Sequence, residues 1–187
     1  MTQDRRIAIE QSIAKASQQF NMERAEKSAE VYACLAAGLR PFTVAVSLAQ
    51  TLAVFVAERS DSSEVTPVHL LFGLLFPPSG VAARLLELSG VPVQEFKNEI
   101  MTMMGYHRGD WEQKGVLRMQ TSSETTALLP MVQACRLQTG EPYVHTGHLF
   151  LGIMDLYRTH DTRPAWMTSR PLDLMTVKDL EGIKGEA

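Results

Sequence analysis

Apolar residues recur along this chain at steps of three and four, the spacing of one face of a helix. Ile9, Ile13, Ala16 and Phe20 form the first such row, and Ala25, Ala29, Tyr32 and Ala36 the second. Asn21, with Glu23 in the turn that follows, suits a helix start between them. "GLRP" predicts the end of the second helix, with Gly38 as its terminator and Pro41 beyond. A third helix is predicted from about Thr43 to Glu58, followed by the polar loop "RSDSSE".

The stretch "VTPVHLLFGLL" then opens a helix with Thr66 as N-cap and Pro67 at N1, where the missing N–H costs nothing. Val65 and Leu70 occupy the two positions of a hydrophobic staple. Ser79 is a candidate cap for "VAARLLELSG", which Gly90 ends, and Val93 to Met104 forms a further helix closed by Gly105. Residues 106–120 lose periodicity and read as a linker or an exposed, hairpin-like loop. Thr121 and Glu124 have the spacing of a capping box, and Pro130 predicts a kink near Ala127 and Leu128. "VHTGHLFLGIM" predicts a helix from about Thr146 to Arg158. "THDTRPAW" is irregular, and "PLDLMTVKDLEGI" reads as a closing helix with Pro171 in its first turn. No segment alternates as a strand does, so the expected class is all-α.

Two of these segments are copies. At a separation of 79 residues Val65 meets Val144, His69 meets His148, Leu70 meets Leu149 and Gly73 meets Gly152. Thr43 meets Ser122, a capping residue in each case. A period this long is a supersecondary duplication. Two such units are expected to pack as a pseudo-symmetric helical bundle, each burying the face the other exposes.

Composition narrows the function without naming it. The 187 residues are 45% hydrophobic and 21% charged, with a net charge of −3, ordinary for a globular protein. No basic excess draws in nucleic acid, and no apolar run approaches the ~20 residues of a membrane span. Cys34 and Cys135 sit in apolar, helix-like surroundings and read as buried, inert thiols in a reducing cytoplasm. The polar N-terminus does not resemble a signal peptide.

His69 and His148 are the obvious chemical candidates. The structural reading puts each in the first turn of a buried helix, hydrogen-bonded to nearby cap groups. The alternative is a metal-binding protein or small enzyme using His145, His148 and His160, but the supporting carboxylates, Asp155 and Asp161, are not specially placed. No G-x-S-x-G occurs, and no catalytic residue, metal or cofactor is assigned. Glu95 and Glu99 read as a solvated face. Met101, Met103 and Met104 are read either as packing or as an adaptable binding surface. Val68, Phe72, Phe76, Met101, Met104, Tyr106 and Trp111 make up the expected partner surface.

"VTPVHLLFGLLFPPSGVAARLLELSGV" resembles the repeat of the Clp chaperone N-terminal domain family. The resemblance rests on Val65, His69, Leu70, Leu71, Gly73, Leu74, Gly80, Val81, Ala82, Ala83, Arg84, Leu86, Gly90 and Val91. The second copy keeps Gly140, Tyr143, Val144, His148, Leu149 and Gly152, while "DTRPAWMTS" replaces its "AAR" helix. Thr66, His69, Leu70, Gly73, His148, Leu149 and Gly152 are the structural signature. The resemblance implies two four-helix Clp-type repeats, at 41–105 and 121–182, joined by 106–120, with extra N-terminal helices over 1–40 and a tail at 183–187. It also implies a non-catalytic module, stand-alone or detached, that docks a protein or peptide. Such a partner would be a substrate, or a Clp ATPase or protease subunit; the alternative within the family is a regulatory domain that kept the Clp fold for an unrelated ligand. The chain has no G-x-x-x-x-G-K phosphate loop, so it holds no ATPase of its own. Residues 1–40 are expected to cover the repeats, to dock on a partner or to form a homodimer. In some relatives a Glu just before the signature His recognises phosphorylated arginine. Val68 and Gly147 stand at those positions, and neither side chain can accept a hydrogen bond from a guanidinium.

Overall fold

Thr43 and Ser122, 79 residues apart, each start a long helix in the same way. The Thr43 hydroxyl accepts the Val46 N–H at 3.4 Å and the Ser122 hydroxyl accepts the Thr125 N–H at 3.1 Å. Each satisfies one of the amide donors that a helix start leaves over. The computed structural model describes residues 26, 28–76, 80–105, 119–159, 175–180 and 183. Helix α1 covers 28–39. It is followed by α2 (Val44–Arg59), α3 (Pro67–Leu74), α4 (Val81–Leu88), α5 (Val93–Met103), α6 (Ser123–Thr139) and α7 (Thr146–Thr159), and by a 3-10 turn, Val177–Leu180. The molecule is all-α, as its periodicity predicts.

Two helical hairpins form its centre. α2 packs on α3, and α6 on α7. Each hairpin closes on a glycine. A Cβ on Gly73 would lie 2.2 Å from the carbonyl oxygen of Ala49, and one on Gly152 would lie 3.0 Å from Leu128 Cδ1 and 2.6 Å from Val132 Cγ2. Ala49 and Leu128 are themselves 79 residues apart. The same residues therefore let the same helices approach in both copies, and one continuous core results. Leu70, Leu74, Phe96 and Ile100 from the first half join Leu128, Val132, Leu149, Phe150 and Ile153 from the second.

The halves are also stitched by backbone. The Thr43 N–H donates to the Val144 carbonyl at 2.9 Å, and the Ser122 N–H donates to the Val65 carbonyl at 3.2 Å. Each half thus gives the other what it receives, the signature of a two-fold arrangement. Around these bonds lie a parallel pair of two-residue strands, β1 (Glu64–Val65) with β2 (Gln120–Thr121), and a parallel bridge between Phe42 and Val144. The pairing amends the expectation of no strands. Two residues cannot display alternation, and the bonds are made between halves, so local pattern carries no trace of them.

Other local readings are corrected. Ser122, not Thr121, caps α6, because Thr121 is taken into β2. The N-cap of α4 is Gly80, and Ser79 lies outside the described residues. Gly38 does not terminate its helix. It lies inside α1 with Leu129 against it, 2.4 Å from where a Cβ would be, so its role is close packing. Gly90, Gly105 and Gly140 do end α4, α5 and α6, with φ of 72°, 66° and 71°. α6 runs undivided through Pro130. Of the closing helix, the described part is the 3-10 turn, with Asp179 accepting the Thr176 N–H at 2.6 Å. Phe20 and the row before it, most of the linker and residues 160–174 lie outside the described residues. No helix among the described residues is long and apolar enough to cross a membrane.

Candidate functional site

Both signature histidines are built into the same relay. The Thr66 N–H donates to Nδ1 of His69 at 3.1 Å, and the His145 N–H donates to Nδ1 of His148 at 3.2 Å. Nδ1 is therefore the unprotonated nitrogen and Nε2 carries the hydrogen. Nε2 of His69 meets the Ser60 hydroxyl at 3.1 Å, and Nε2 of His148 meets the Thr139 hydroxyl at 2.8 Å. The hydroxyls pass their own protons back to the preceding helix. Ser60 donates to the carbonyls of Val56 and Ala57, and Thr139 to that of Arg136. Each histidine thus ties the end of one helix to the start of the next. Ser60 and Thr139 were not singled out in the sequence, although the 79-residue separation pairs them as it pairs the histidines.

Burial keeps both rings neutral. It pulls His69 down to about 4. It pulls His148 down to about 3, with the neighbouring His145 ring and Arg136 adding to the shift. Leu70 and Leu149, next along each helix, are fully buried.

The second copy carries one substitution in the cap itself. His145 stands where Thr66 stands in the first, and its Nδ1 accepts the Gly147 N–H at 3.1 Å, doing the work of a cap oxygen. Its ring stacks on His148 with centroids 3.6 Å apart. Both nitrogens of His148 and Nδ1 of His145 are thus committed within the fold. No group of three metal-ligating side chains exists among the described residues, and His160 and Asp161 lie outside them. Asp155 is engaged with Arg158 at 2.5 Å. Arg158 also donates to the Met175 carbonyl, within a cleft of about 430 Å³ that Gln138 and Lys178 help to line. Cys135 is buried and its thiol is pushed up to about 11, first by burial and then by Asp155. Cys34 is half-buried.

The two positions before the histidines differ. Val68 is half-buried at the start of α3. Gly147 is sealed: a Cβ there would lie 2.6 Å from Leu180 Cδ2, 2.6 Å from Val81 Cγ1 and 3.0 Å from His145 Cε1. The first helix start thus has room for a side chain and the second has none.

Of the apolar residues expected at a partner surface, Phe72 lies on α3, Phe76 just beyond its end, and Met101 and Met104 on or at the end of α5. Phe76 is 53% exposed, and its ring centroid is 6.4 Å from that of Phe72. From α5, the Lys97 ammonium lies over Phe76, 5.6 Å from the centroid, within cation–π range. Burial lowers its pKa. Steps of four, four and three place Val93, Lys97, Met101 and Met104 along one edge of α5, all half-buried, while Phe96 and Ile100 face the core. Met103 is 47% exposed. Tyr106 and Trp111 lie outside the described residues. Lys97 is the member that sequence reading passed over. Between Glu95 and Glu99 it looked like one more solvated charge, and only the packing of α3 on α5 sets it beside an aromatic ring.

The Clp repeat (R) N-terminal domain family matches residues 41–162. The chaperone protein ClpB of Mycobacterium leprae is 32% identical over 111 residues, 59% of this chain. The chain spans only 13% of the length of that relative. Two solved structures share the fold. The N-terminal domain (1-163) of ClpV1 ATPase from E. coli EAEC has a TM-score of 0.63 at 19% identity, covering 80% of this chain and 86% of that one. The N-domain of ClpV from Vibrio cholerae has a TM-score of 0.60 at 20% identity, covering 78% and 84%. With the duplicated relay, the glycine-closed hairpins and a match over more than half its length, this chain belongs to the Clp repeat N-terminal domain family.

Proposed function

We propose that the chain is a docking module that performs no chemistry and holds a protein or peptide as an accessory to a cytoplasmic Clp-type chaperone–protease. The observation that carries this reading is the α3–α5 face. Phe76 stands exposed with the Phe72 ring 6.4 Å from its own, and Met101 and Met104 share the α5 edge that carries Lys97. Flexible, polarizable methionines adapt to varied apolar side chains, and the Lys97 ammonium over Phe76 could meet a carboxylate of the ligand. The ligand suited to this face is a segment with one large apolar residue and an acidic neighbour. The polar alternative before His69 is closed by chemistry, since Val68 offers no acceptor, and that before His148 is closed by packing at Gly147.

The test is crosslinking and pull-down from the native cell with the intact chain as bait, beside its Phe76→Ser and Lys97→Glu variants. A Clp ATPase, protease subunit or client should be recovered with the intact chain and lost with both variants. Consistent recovery of a partner unrelated to proteolysis, or equal recovery with the variants, overturns the reading.

A further inference from the structure

Three phenylalanines of the first copy have smaller or unbranched partners in the second. At the 79-residue separation Phe72 meets Leu151, Phe76 meets Asp155 and Phe96 meets Met175. The elements that carry them keep their contacts, since α7 packs against the 3-10 turn as α3 packs against α5. The aromatic pair of Phe72 and Phe76 thus has no counterpart in the second copy, and at that place lies the cleft of about 430 Å³.

The cleft has an apolar floor. Leu151 and Met175 line it and are buried, with Val177 half-buried beside them. Its walls are held in place from within the fold. Arg158 of α7 donates to the Met175 carbonyl, which fastens the turn to the helix. Asp179 accepts the Thr176 N–H at 2.6 Å and the Thr176 hydroxyl at 3.2 Å, which holds the turn itself. Of the three charges in the lining, Asp155 and Arg158 neutralise each other at 2.5 Å. Lys178 is exposed and has no ion pair among the described residues, so it is the charge the cleft presents. A preformed apolar floor with one cation at its edge suits an apolar group that carries a carboxylate. The volume is at the small end of ligand sites, room for about one residue rather than a strand passing through. In an extended peptide neighbouring side chains point to opposite sides, so an apolar residue and an acidic neighbour would not enter together. A C-terminal residue carries both groups at once, its side chain and its free α-carboxylate.

We infer that the cleft between α7 and the 3-10 turn binds the C-terminal residue of a protein or peptide, with an apolar side chain against Leu151 and Met175 and the carboxylate on Lys178. The inference rests on the docking reading for its kind of ligand, but the site is separate from the α3–α5 face. N-acetyl-leucine and N-acetyl-leucinamide differ only in carboxylate against amide. Titrated at millimolar concentration into the isotope-labelled full chain, N-acetyl-leucine should shift the backbone amide NMR signals of Leu151, Asp155, Val177 and Lys178 towards saturation. The shifts should fall severalfold with the leucinamide and in Lys178→Glu, a change at an exposed position, and should persist in Lys97→Glu. Lys178→Glu leaves the α3–α5 face intact, so failure of this site and failure of that face are read separately. Shifts absent from the cleft, equal with the leucinamide or equal in Lys178→Glu overturn the inference. Shifts lost in Lys97→Glu would assign the carboxylate to the α3–α5 face and overturn it as well.

Discussion

The ring of His148 lies 3.6 Å from that of His145, inclined by 24°, and neither nitrogen of His148 is free to take a proton. Protonating Nδ1 would set an N–H against the His145 N–H that it now accepts, and His69 is held the same way by Thr66. Both rings have pKa values in the fold below the unfolded value of about 6.5. The unfolded chain therefore binds more protons as pH falls, and stability is lost from about pH 6.5 down towards 4 for His69 and 3 for His148. Each contributes a slope of up to about 1.4 kcal/mol per pH unit. Urea unfolding between about pH 7 and pH 4.5 should show stability rising with pH. His69→Gln should remove one histidine's share of the slope while lowering stability at neutral pH. An unchanged slope in that variant would mean that the relay does not hold the ring neutral.

Gly73, Gly152 and Gly140 should rank in that order when changed to Ala. At Gly73 the new methyl meets the Ala49 carbonyl oxygen at 2.2 Å, and backbone in the middle of α2 cannot step aside. Gly73→Ala should cost about 2–4 kcal/mol by forcing α3 off α2. At Gly152 the two nearest contacts are side-chain tips of Val132 and Leu128, which can rotate in part, and about 1–2 kcal/mol is expected. Gly140 has nothing within 4 Å, so only its φ of 71° opposes a side chain, at about 1 kcal/mol. Thermal or denaturant unfolding of the three variants measures the order directly.

The duplication shows what sequence can and cannot display here. Val65 and Val144, His69 and His148, and Gly73 and Gly152 were legible because each pair is bound to a helix start whose local chemistry repeats. The pairing of Thr43 with Val144 and of Ser122 with Val65 was not, since two-residue strands across halves leave no periodic mark. The seal over Gly147 and the contact of Gly38 with Leu129 join residues far apart in the chain, and a glycine looks the same in sequence whether it ends a helix or floors a contact. At the proposed partner surface Phe76 and the methionines stand out by composition, whereas Lys97 gains its meaning only from the ring of Phe76 opposite.

Val68 and Gly147 should respond oppositely to Glu. Val68→Glu places a carboxylate in the first turn of α3, where amide dipoles favour it and the side chain has a path outward. The lost packing and this gain should leave a net cost of about 1 kcal/mol or less. Gly147→Glu must displace Leu180 and Val81 and bury a charge among them, and a folded, cooperative transition is not expected to survive. Circular dichroism melts of the two variants separate the cases. Equal tolerance would show that the 3-10 turn is not held over the second helix start.

Pro130 lies eight residues beyond the Ser122 cap, in the interior of α6, and is exposed. It has no N–H to give the Thr126 carbonyl, and its ring crowds that oxygen, which opposes a helix by up to about 3 kcal/mol relative to Ala. α6 persists because contacts on both sides of the proline hold it: Leu129 on Gly38, and Leu128 and Val132 on Gly152. Pro130→Ala restores the hydrogen bond without touching those contacts, while any bend they have adjusted to must relax. The local gain should exceed that relaxation, raising stability by about 1 kcal/mol and the melting temperature by about 2–4 °C. A fall in melting temperature would show the opposite balance, with the bend at Pro130 setting Leu128 and Leu129 into their two glycine-floored contacts.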